Sequence, residues 1–287
     1  MPVPGRLVSV YLLLDADGDL MVTSSEIHFA GHAGPIVGTR WDAAQPRYIA
    51  ILAHGYGEHI GRYEYVAQRL VADGAAVYGV DHQGHGRSAG EQAVINDFDG
   101  VVDDLHQAEA LARSEHPQVP VVLIGHSMGG LIAARYAQRF GADLMAVVLS
   151  GPLIGSRAMT QGLLALDEIP DVPIDPAVLS RDTAIGAAYQ SDPLVWHGPF
   201  KRPMVEAIDA MLVKINDTGQ IKDVPVLWIH GGADQLVPYA NSAEGWAVIA
   251  PADAQQKKYP GARHEIFNET NKDEVLDDVI AFINSHR

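Results

Sequence analysis

The segment GHSMG at residues 125–129 has the residue types and the spacing that can present a serine as a nucleophile. It follows an apolar run that ends at Ile124, and the stretch from Gly130 to Ala137 has the composition of a helix. A Gly-x-Ser-x-Gly turn between a buried strand and a helix is typical of the nucleophile elbow, in which the sharp turn leaves no room for flanking side chains. The serine hydroxyl then lies at a helix N-terminus, beside backbone N–H groups. We therefore predict that Ser127 is a nucleophile; an ordinary strand-to-helix turn is the alternative.

A serine nucleophile predicts two partners, because its hydroxyl needs a base to take the proton and an acid to orient that base. In proteins with this elbow the order along the chain is Ser, then Asp, then His. Asp234 and His264 have this order, and each follows a strand-like segment. We predict Asp234 as the orienting acid and His264 as the general base. Three other acidic residues fit less well because they lie on helix patterns or before strands: Asp209, Asp223 and Asp253.

The tetrahedral intermediate of acyl transfer needs two converging backbone N–H groups for its oxyanion. One should belong to Met128, which follows the nucleophile. The other should come from the loop after the first core strand, which here is HGYG at residues 54–57. We predict that the N–H groups of Met128 and Tyr56 form the oxyanion hole.

Other chemistries have little support in the sequence. There is no cysteine, which excludes disulfides, thiolate metal sites and cysteine nucleophiles. His82 and His85 are close in sequence but lack a neighbouring carboxylate cluster, so a structural loop is the better interpretation. The glycines near Gly84 miss the dinucleotide-binding spacing, and no phosphate-binding loop is present. A serine at the elbow also excludes an aspartate nucleophile. We predict no metal and no cofactor.

Composition narrows the range of partners. The 287 residues are 47% hydrophobic, and 36 acidic against 20 basic side chains give a net charge of −16. This charge argues against nucleic acids and anionic lipid surfaces as partners, but it does not affect an uncharged ester. No window approaches the roughly 20 apolar residues of a membrane span. Residues 1–20 imitate a signal peptide only faintly, and we predict an uncleaved extension on a cytoplasmic protein without stable membrane insertion.

The elements that must position these side chains alternate between strand and helix patterns. Near-continuous apolar strands separated by amphipathic helices indicate an α/β protein with a mostly parallel sheet covered on both faces. Strands are predicted at 48–53, 76–80, 121–124, 144–149, 224–230 and 257–259, and helices at 63–73, 98–116, 130–140, 204–215, 240–249 and 271–286.

The alternation stops after Pro152, and no strand pattern returns until Val226. This stretch is rich in proline and in apolar residues but poorly periodic, which fits an inserted cap better than a polar linker. We predict a core of residues 21–152 and 223–287, a helical cap or lid at 153–222 and an extension at 1–20. A helical subdomain without contact to a ligand is the alternative for the cap.

With these pieces in place, the chain resembles the monoacylglycerol lipases, of the bacterial type, within the α/β-hydrolase superfamily. Five blocks carry the resemblance: HGYGEHIGRY at 54–63, DHQGHGRS at 81–88, GHSMGG at 125–130, YQSDPL at 189–194 and YPGARH at 259–264. The resemblance implies an α/β-hydrolase fold with an inserted cap. It also implies the same three catalytic residues and the same two oxyanion donors that the spacing predicts.

The resemblance further implies a polar pocket for a glycerol headgroup, formed by Glu58, Arg62, His126 and Tyr189. For Glu58 and Arg62 a buried ion pair that holds the oxyanion loop is an equal alternative. Tyr56 is larger than the residue that many family members have there.

The implied activity is hydrolysis of a monoacylglycerol through an acyl-enzyme, with transient contact to a membrane or micelle through the cap. A carboxylesterase or lysophospholipase, and more remotely a non-catalytic binding protein of the same fold, are the alternatives.

Overall fold

The computed structural model describes residues 22–287, so the predicted extension at 1–20 lies outside the described residues. An eight-stranded sheet forms the centre of the molecule. Its strands are β1 (Ser24–Gly31), β2 (Gly34–Trp41), β3 (Tyr48–Ala53), β4 (Ala75–Val80), β5 (Val121–His126), β6 (Ala146–Ser150), β7 (Val226–Gly231) and β8 (Gln255–Tyr259).

The described part of the chain has eight α-helices. They are α1 (Glu64–Ala72), α2 (Phe98–Glu115), α3 (Met128–Phe140), α4 (Ala158–Leu164), α5 (Thr183–Ser191), α6 (Arg202–Thr218), α7 (Tyr239–Ile249) and α8 (Lys272–Asn284). The elements predicted from the sequence are all present, with ends that differ by no more than three residues.

The strand order is β1-β2-β4-β3-β5-β6-β7-β8, and every pair from β4 to β8 is parallel. This confirms the predicted α/β class. The hairpin of β1 and β2 adds two antiparallel strands at one edge, which the sequence did not predict. Residues of β1 are mostly exposed or half-buried and several are polar, so no continuous apolar run marks the strand.

Strand β3 shows how the two faces of the sheet are covered. All six of its residues are buried, and alternate side chains enter different clusters. Ile49, Ile51 and Ala53 pack in the cluster that includes α2, α3, α6 and α7, whereas Ala50 and Leu52 pack in the cluster that includes α1 and α8. The period of two along a strand therefore explains why its sequence is apolar throughout.

The insertion between β6 and β7 divides into two parts by its packing. Helix α6 buries one apolar face, including Met204, Ile208 and Leu212, in the same cluster as α3. The stretch from residue 153 to 201, by contrast, holds short helices and has a small cluster of its own around Leu179 and Tyr189. The predicted boundary of the cap at 153–222 stays a prediction. No helix among residues 22–287 is long and apolar enough to cross a bilayer.

Candidate active site

The turn between β5 and α3 has the strained geometry that a nucleophile elbow requires. Ser127 has φ 55° and ψ −116°, outside the regions that side-chain-bearing residues prefer. A Cβ atom on Gly125 would lie 2.2 Å from the carbonyl oxygen of Gly129. A Cβ atom on Gly129 would lie 2.0 Å from the carbonyl oxygen of Ala53. Both positions therefore accept only glycine, for the steric reason inferred from the sequence.

Three residues that are far apart in the chain meet above the carboxyl ends of the strands. Ser127 follows β5, Asp234 follows β7, and His264 lies in the loop after β8. The Ser127 hydroxyl lies 2.9 Å from Nε2 of His264, and Nδ1 of His264 lies 2.7 Å from Oδ2 of Asp234. With the imidazole proton on Nδ1, the serine hydroxyl donates to Nε2 and Nδ1–H donates to the carboxylate. We call these three residues the serine cluster.

The carboxylate of Asp234 is buried but well supplied with donors. Its Oδ1 accepts the backbone N–H groups of Leu236 and Val237, each at 2.9 Å. Burial alone would raise the pKa of Asp234, but the charge of His264 and hydrogen bonds from His230 and His264 lower it well below its ordinary value. Asp234 is therefore ionised at neutral pH.

The pKa of His264 moves in the opposite direction. Burial lowers it, but the charge of Asp234 and the hydrogen bond to that carboxylate outweigh burial and raise it above the ordinary histidine value. The carboxylates of Asp234 and of the neighbouring Glu265 thus favour the protonated imidazolium form of His264. This is the electrostatic environment of a base that accepts a serine proton.

The two amides predicted for the oxyanion hole both lie at the pocket. Met128 is the first residue of α3, so its N–H has no acceptor within the helix. Tyr56 lies in the loop that follows β3. Among the described residues, neither N–H donates a hydrogen bond, and both residues line the pocket around Ser127. Their donors are therefore available to an oxygen of a bound ester.

Glu58 and Arg62 form a buried ion pair that the sequence analysis weighed against direct ligand contact. Arg62 Nη1 lies 2.5 Å from Oε2 of Glu58. The other oxygen of Glu58 accepts the N–H of Gly55 at 2.6 Å and the hydroxyl of Tyr63 at 2.8 Å. Burial alone would raise the pKa of Glu58, but Arg62 and its other partners lower it to about 2. Glu58 thus holds the loop that carries the Tyr56 amide.

A third charged residue, Glu265, was not predicted from the sequence. Its two oxygens accept Nη1 and Nη2 of Arg62, each at 2.8 Å, in a bidentate pair. Its Oε2 also accepts the side-chain amide of Asn268. The only signal in the sequence is that Glu265 directly follows the predicted base His264, which says nothing about its partner 203 residues away. We call Glu58, Arg62 and Glu265 the arginine cluster.

The other two residues of the implied headgroup pocket keep polar atoms free. His126 uses Nδ1 to contact the carbonyl of Ser150 at 3.1 Å, and its Nε2 has no partner among residues 22–287. Burial and then the charge of His264 lower the pKa of His126 to about 4, so the ring is neutral. The Tyr189 hydroxyl also lacks a partner in the described chain, and burial is the main cause that raises its pKa to about 12. Arg62 lies 5.1 Å from the centre of the Tyr189 ring.

These residues share one pocket with the Ser127 hydroxyl. Its polar lining includes Glu58, Arg62, His126, Tyr189 and Glu265. The remainder is lined by apolar side chains from the core and the insertion, namely Leu153, Met159, Ile174, Leu179, Phe200, Ile208, Leu236 and Val237. Such a lining suits a molecule that has both an apolar chain and a small polar group.

The insertion contacts the loop after β3, which carries Tyr56, at several points. The ring of Tyr56 stacks on Phe200 with 4.6 Å between centroids, and the N–H of Trp196 donates to the carbonyl of Gly57 at 2.7 Å. Nε2 of His59 lies 2.8 Å from Oδ2 of Asp192. The large side chain at position 56 therefore contacts the insertion while its amide stays at the pocket.

His82 and His85 are the histidines that the sequence analysis considered as metal ligands. His82 and His85 are buried beside His54, with ring centroids 4.3 and 5.5 Å from it. In the described part of the chain, no group of three or more His, Cys, Asp or Glu side chains is placed to hold a metal ion.

The chain is similar to several known proteins in sequence and in fold. Residues 44–271 match the family model described as serine aminopeptidase, S33. The chain is 38% identical to the monoacylglycerol lipase of Mycolicibacterium smegmatis, over 92% of this chain and 98% of that protein. It is 33% identical to human monoglyceride lipase, over 78% of this chain and 77% of that protein.

The chain belongs to the monoacylglycerol lipase family of α/β-hydrolases. Among solved structures, a soluble variant of the Saccharomyces cerevisiae monoglyceride lipase, in complex with a substrate analog, has a TM-score of 0.79. That likeness covers 93% of this chain and 96% of the yeast chain at 25% identity. Family membership confirms the resemblance drawn from the five sequence blocks, and it makes the protein a carboxylic ester hydrolase.

Proposed function

We propose that this protein hydrolyses monoacylglycerols to a free fatty acid and glycerol, with Ser127 as the nucleophile. The observation that carries this proposal is the contact of the Ser127 hydroxyl with Nε2 of His264 at 2.9 Å, in a pocket lined by both apolar and polar side chains. The activity named for the relatives in the same family supports the choice of substrate.

In the proposed first half-reaction, Oγ of Ser127 attacks the ester carbonyl carbon as its proton moves to Nε2 of His264. Asp234 stays ionised and stabilises the imidazolium that forms. The backbone N–H groups of Tyr56 and Met128 donate to the oxyanion. The tetrahedral intermediate then breaks its C–O bond to glycerol, which takes the proton from His264, and an acyl-enzyme remains.

The second half-reaction repeats these steps with water. His264 takes a proton from the water, whose oxygen attacks the acyl carbon, and the Ser127 oxygen leaves and takes the proton back. The fatty acid is released and the enzyme returns to its starting state. No redox partner or cofactor takes part in either half.

We assign the contacts with the glycerol headgroup to polar groups that have no hydrogen-bond partner among residues 22–287. Both carboxylate oxygens of Glu58 are occupied, which favours a role in holding the loop. The Tyr189 hydroxyl and Nε2 of His126 have no partner among residues 22–287, so we assign them the contact with the glycerol hydroxyls. A neutral phenol can donate and a neutral imidazole nitrogen can accept, which suits a diol.

A panel of four substrates tests the proposal. Monoacylglycerol should be cleaved with the highest kcat/KM, and diacylglycerol and triacylglycerol poorly, because we expect the pocket to take one acyl chain and a small headgroup. Lysophosphatidylcholine represents the alternative of a lysophospholipase, and its charged headgroup has no free counter-charge in the pocket. Efficient cleavage of emulsified triacylglycerol, or preference for lysophosphatidylcholine, would contradict the proposal.

Contact of the cap with a membrane or micelle and a cytoplasmic location stay predictions. Binding to uncharged phospholipid vesicles, compared between this protein and a variant with the exposed Leu166 and Val172 changed to serine, measures the contact. Equal vesicle binding by both proteins would contradict it.

A further inference from the structure

A second histidine, His230, lies behind the carboxylate of Asp234. It occupies a position near the end of β7 and is completely buried. Its Nε2 lies 2.8 Å from the carbonyl oxygen of Val237 and 3.2 Å from Oδ2 of Asp234. Its Nδ1 lies 3.1 Å from the indole Nε1 of Trp228. His230 does not line the pocket that holds Ser127.

The indole group decides the tautomer of His230. A tryptophan N–H only donates, so Nδ1 of His230 must accept and carries no proton. The ring proton is therefore on Nε2, where it faces two oxygen atoms, those of Val237 and Asp234. Aromatic packing holds the indole in place, since Trp228 stacks on Tyr239 with 4.6 Å between centroids.

The two acceptors of His230 belong to one turn. The N–H of Val237 donates to Oδ1 of Asp234, while the carbonyl of Val237 accepts from His230. His230 therefore contacts the turn at Val237 and the carboxylate at Oδ2, the same oxygen that accepts Nδ1–H of His264. Its contact restricts rotation of the carboxylate that orients the catalytic base.

We propose that His230, held as the Nε2–H tautomer by Trp228, is a positioning residue that fixes the Asp234 carboxylate toward His264. This proposal rests on the proposed roles of Ser127, Asp234 and His264, but not on the identity of the ester. The Nε2–H dipole 3.2 Å from Oδ2 also stabilises the negative charge on the oxygen that His264 uses. Removing that donor should therefore strengthen proton binding at His264.

The charged and titratable neighbours are few. Asp234 and the phenol of Tyr239 face His230, and Lys258 Nζ lies 4.5 Å from the centre of the Tyr239 ring. The field at His264 comes from Asp234, Glu265 and Glu58, with neutral His126 at 4.8 Å between ring centroids. A change at His230 therefore reaches His264 through Asp234.

The test compares two substitutions at one position. In His230→Leu the hydrogen bond to Val237 and the contact with Oδ2 of Asp234 are lost together, and kcat on p-nitrophenyl butyrate should fall about tenfold, with KM nearly unchanged. The acid limb of its pH profile should move to higher pH. In His230→Gln an amide N–H replaces Nε2–H and the amide oxygen accepts from Trp228, so kcat and the acid limb should return close to the wild-type values.

A measurement on the wild-type protein keeps the proposal testable if His230→Leu does not fold. Nitrogen-15 NMR of the free enzyme should show His230 with a proton on Nε2 and none on Nδ1 across neutral pH. An Nδ1–H tautomer would overturn the proposal, as would a His230→Leu enzyme with the wild-type kcat and acid limb. Absence of activity on monoacylglycerol, with these effects present on the chromogenic ester, would contradict the proposed substrate instead.

Discussion

The serine cluster and the arginine cluster lie on the same pocket, but they differ in how their hydrogen bonds are used. In the serine cluster, the Ser127 hydroxyl has a single partner in the described chain, His264, and two amides beside it are free. In the arginine cluster, every carboxylate oxygen of Glu58 and Glu265 accepts at least one hydrogen bond.

The two clusters therefore use their buried polar groups in two different ways. The Ser127 hydroxyl, which we expect to give up a proton, has one contact that can shift. A carboxylate that positions a loop is held by several contacts at once. The clusters are joined at His264 and Glu265, which are consecutive in sequence. We expect a change at Ser127 or Asp234 to act mainly on chemistry, and a change at Arg62 to act mainly on stability.

The largest expected effect is on chemistry alone. In Ser127→Ala, ester hydrolysis should fall by about a million-fold, because the nucleophile is lost and the remaining groups act only with it. The arginine cluster is untouched, so the midpoint of thermal unfolding should stay at or above the wild-type value, with some strain at φ 55° retained. Wild-type hydrolysis by this variant would remove Ser127 from the mechanism.

A second variant, Asp234→Asn, should lower kcat by about ten-thousand-fold, because an amide in place of the carboxylate favours the wrong tautomer of His264. The assay is kcat on p-nitrophenyl butyrate at neutral pH. Asp209→Asn is the matched control: Asp209 pairs with Arg157 and was a weaker candidate for the acid. If Asp209→Asn lost more activity than Asp234→Asn, the acid would be wrongly assigned.

The next effect should fall on stability. Arg62→Met leaves two buried carboxylates without their partner, and the free energy of unfolding should drop by about 3–5 kcal/mol. Arg69→Met is the matched control, since Arg69 also pairs with two carboxylates, Asp273 and Asp277, but at the surface. Its cost should be at most about 1 kcal/mol. Equal costs in urea unfolding would mean that the arginine cluster is not held by its buried ion pairs.

The pH dependence of stability should separate the clusters further. The pKa of Glu58 is about 2 in the folded protein, below its ordinary value of 4.5, so its contribution to stability is present above pH 4.5 and is lost as pH falls toward 2. In Glu58→Gln this part of the acid dependence should disappear. Chemical unfolding at pH 6 and pH 3 measures the difference, and an unchanged slope in the variant would contradict the low pKa.

The smallest expected effect concerns the headgroup. Tyr189→Phe removes one uncommitted hydroxyl and should raise KM for monoacylglycerol by about fivefold, the value of one neutral hydrogen bond, with little change for p-nitrophenyl butyrate. Tyr65→Phe, at a half-buried tyrosine that does not line the pocket, should change neither KM. Equal changes for both esters in Tyr189→Phe would mean that the ring acts by packing alone.

Several features followed from consecutive residues. The alternation of strands and helices, and with it the parallel sheet, was predictable because burial on both faces makes each strand apolar throughout. The glycines around Ser127 were predictable because the clash of a Cβ atom is local to the turn. The hairpin of β1 and β2 was missed because its half-exposed residues follow no clear pattern.

By itself, the sequence determined the class of fold and predicted the elbow and the order of serine, acid and base, since these depend on local sterics and on periodicity. The tertiary structure alone decided that Arg62 pairs with Glu265 as well as with Glu58, and that Trp228 sets the tautomer of His230. It also decided that α6 packs in the same cluster as α3. The physical reason is that strand order brings distant residues together, and charges and ring protons respond to those neighbours rather than to the adjacent sequence.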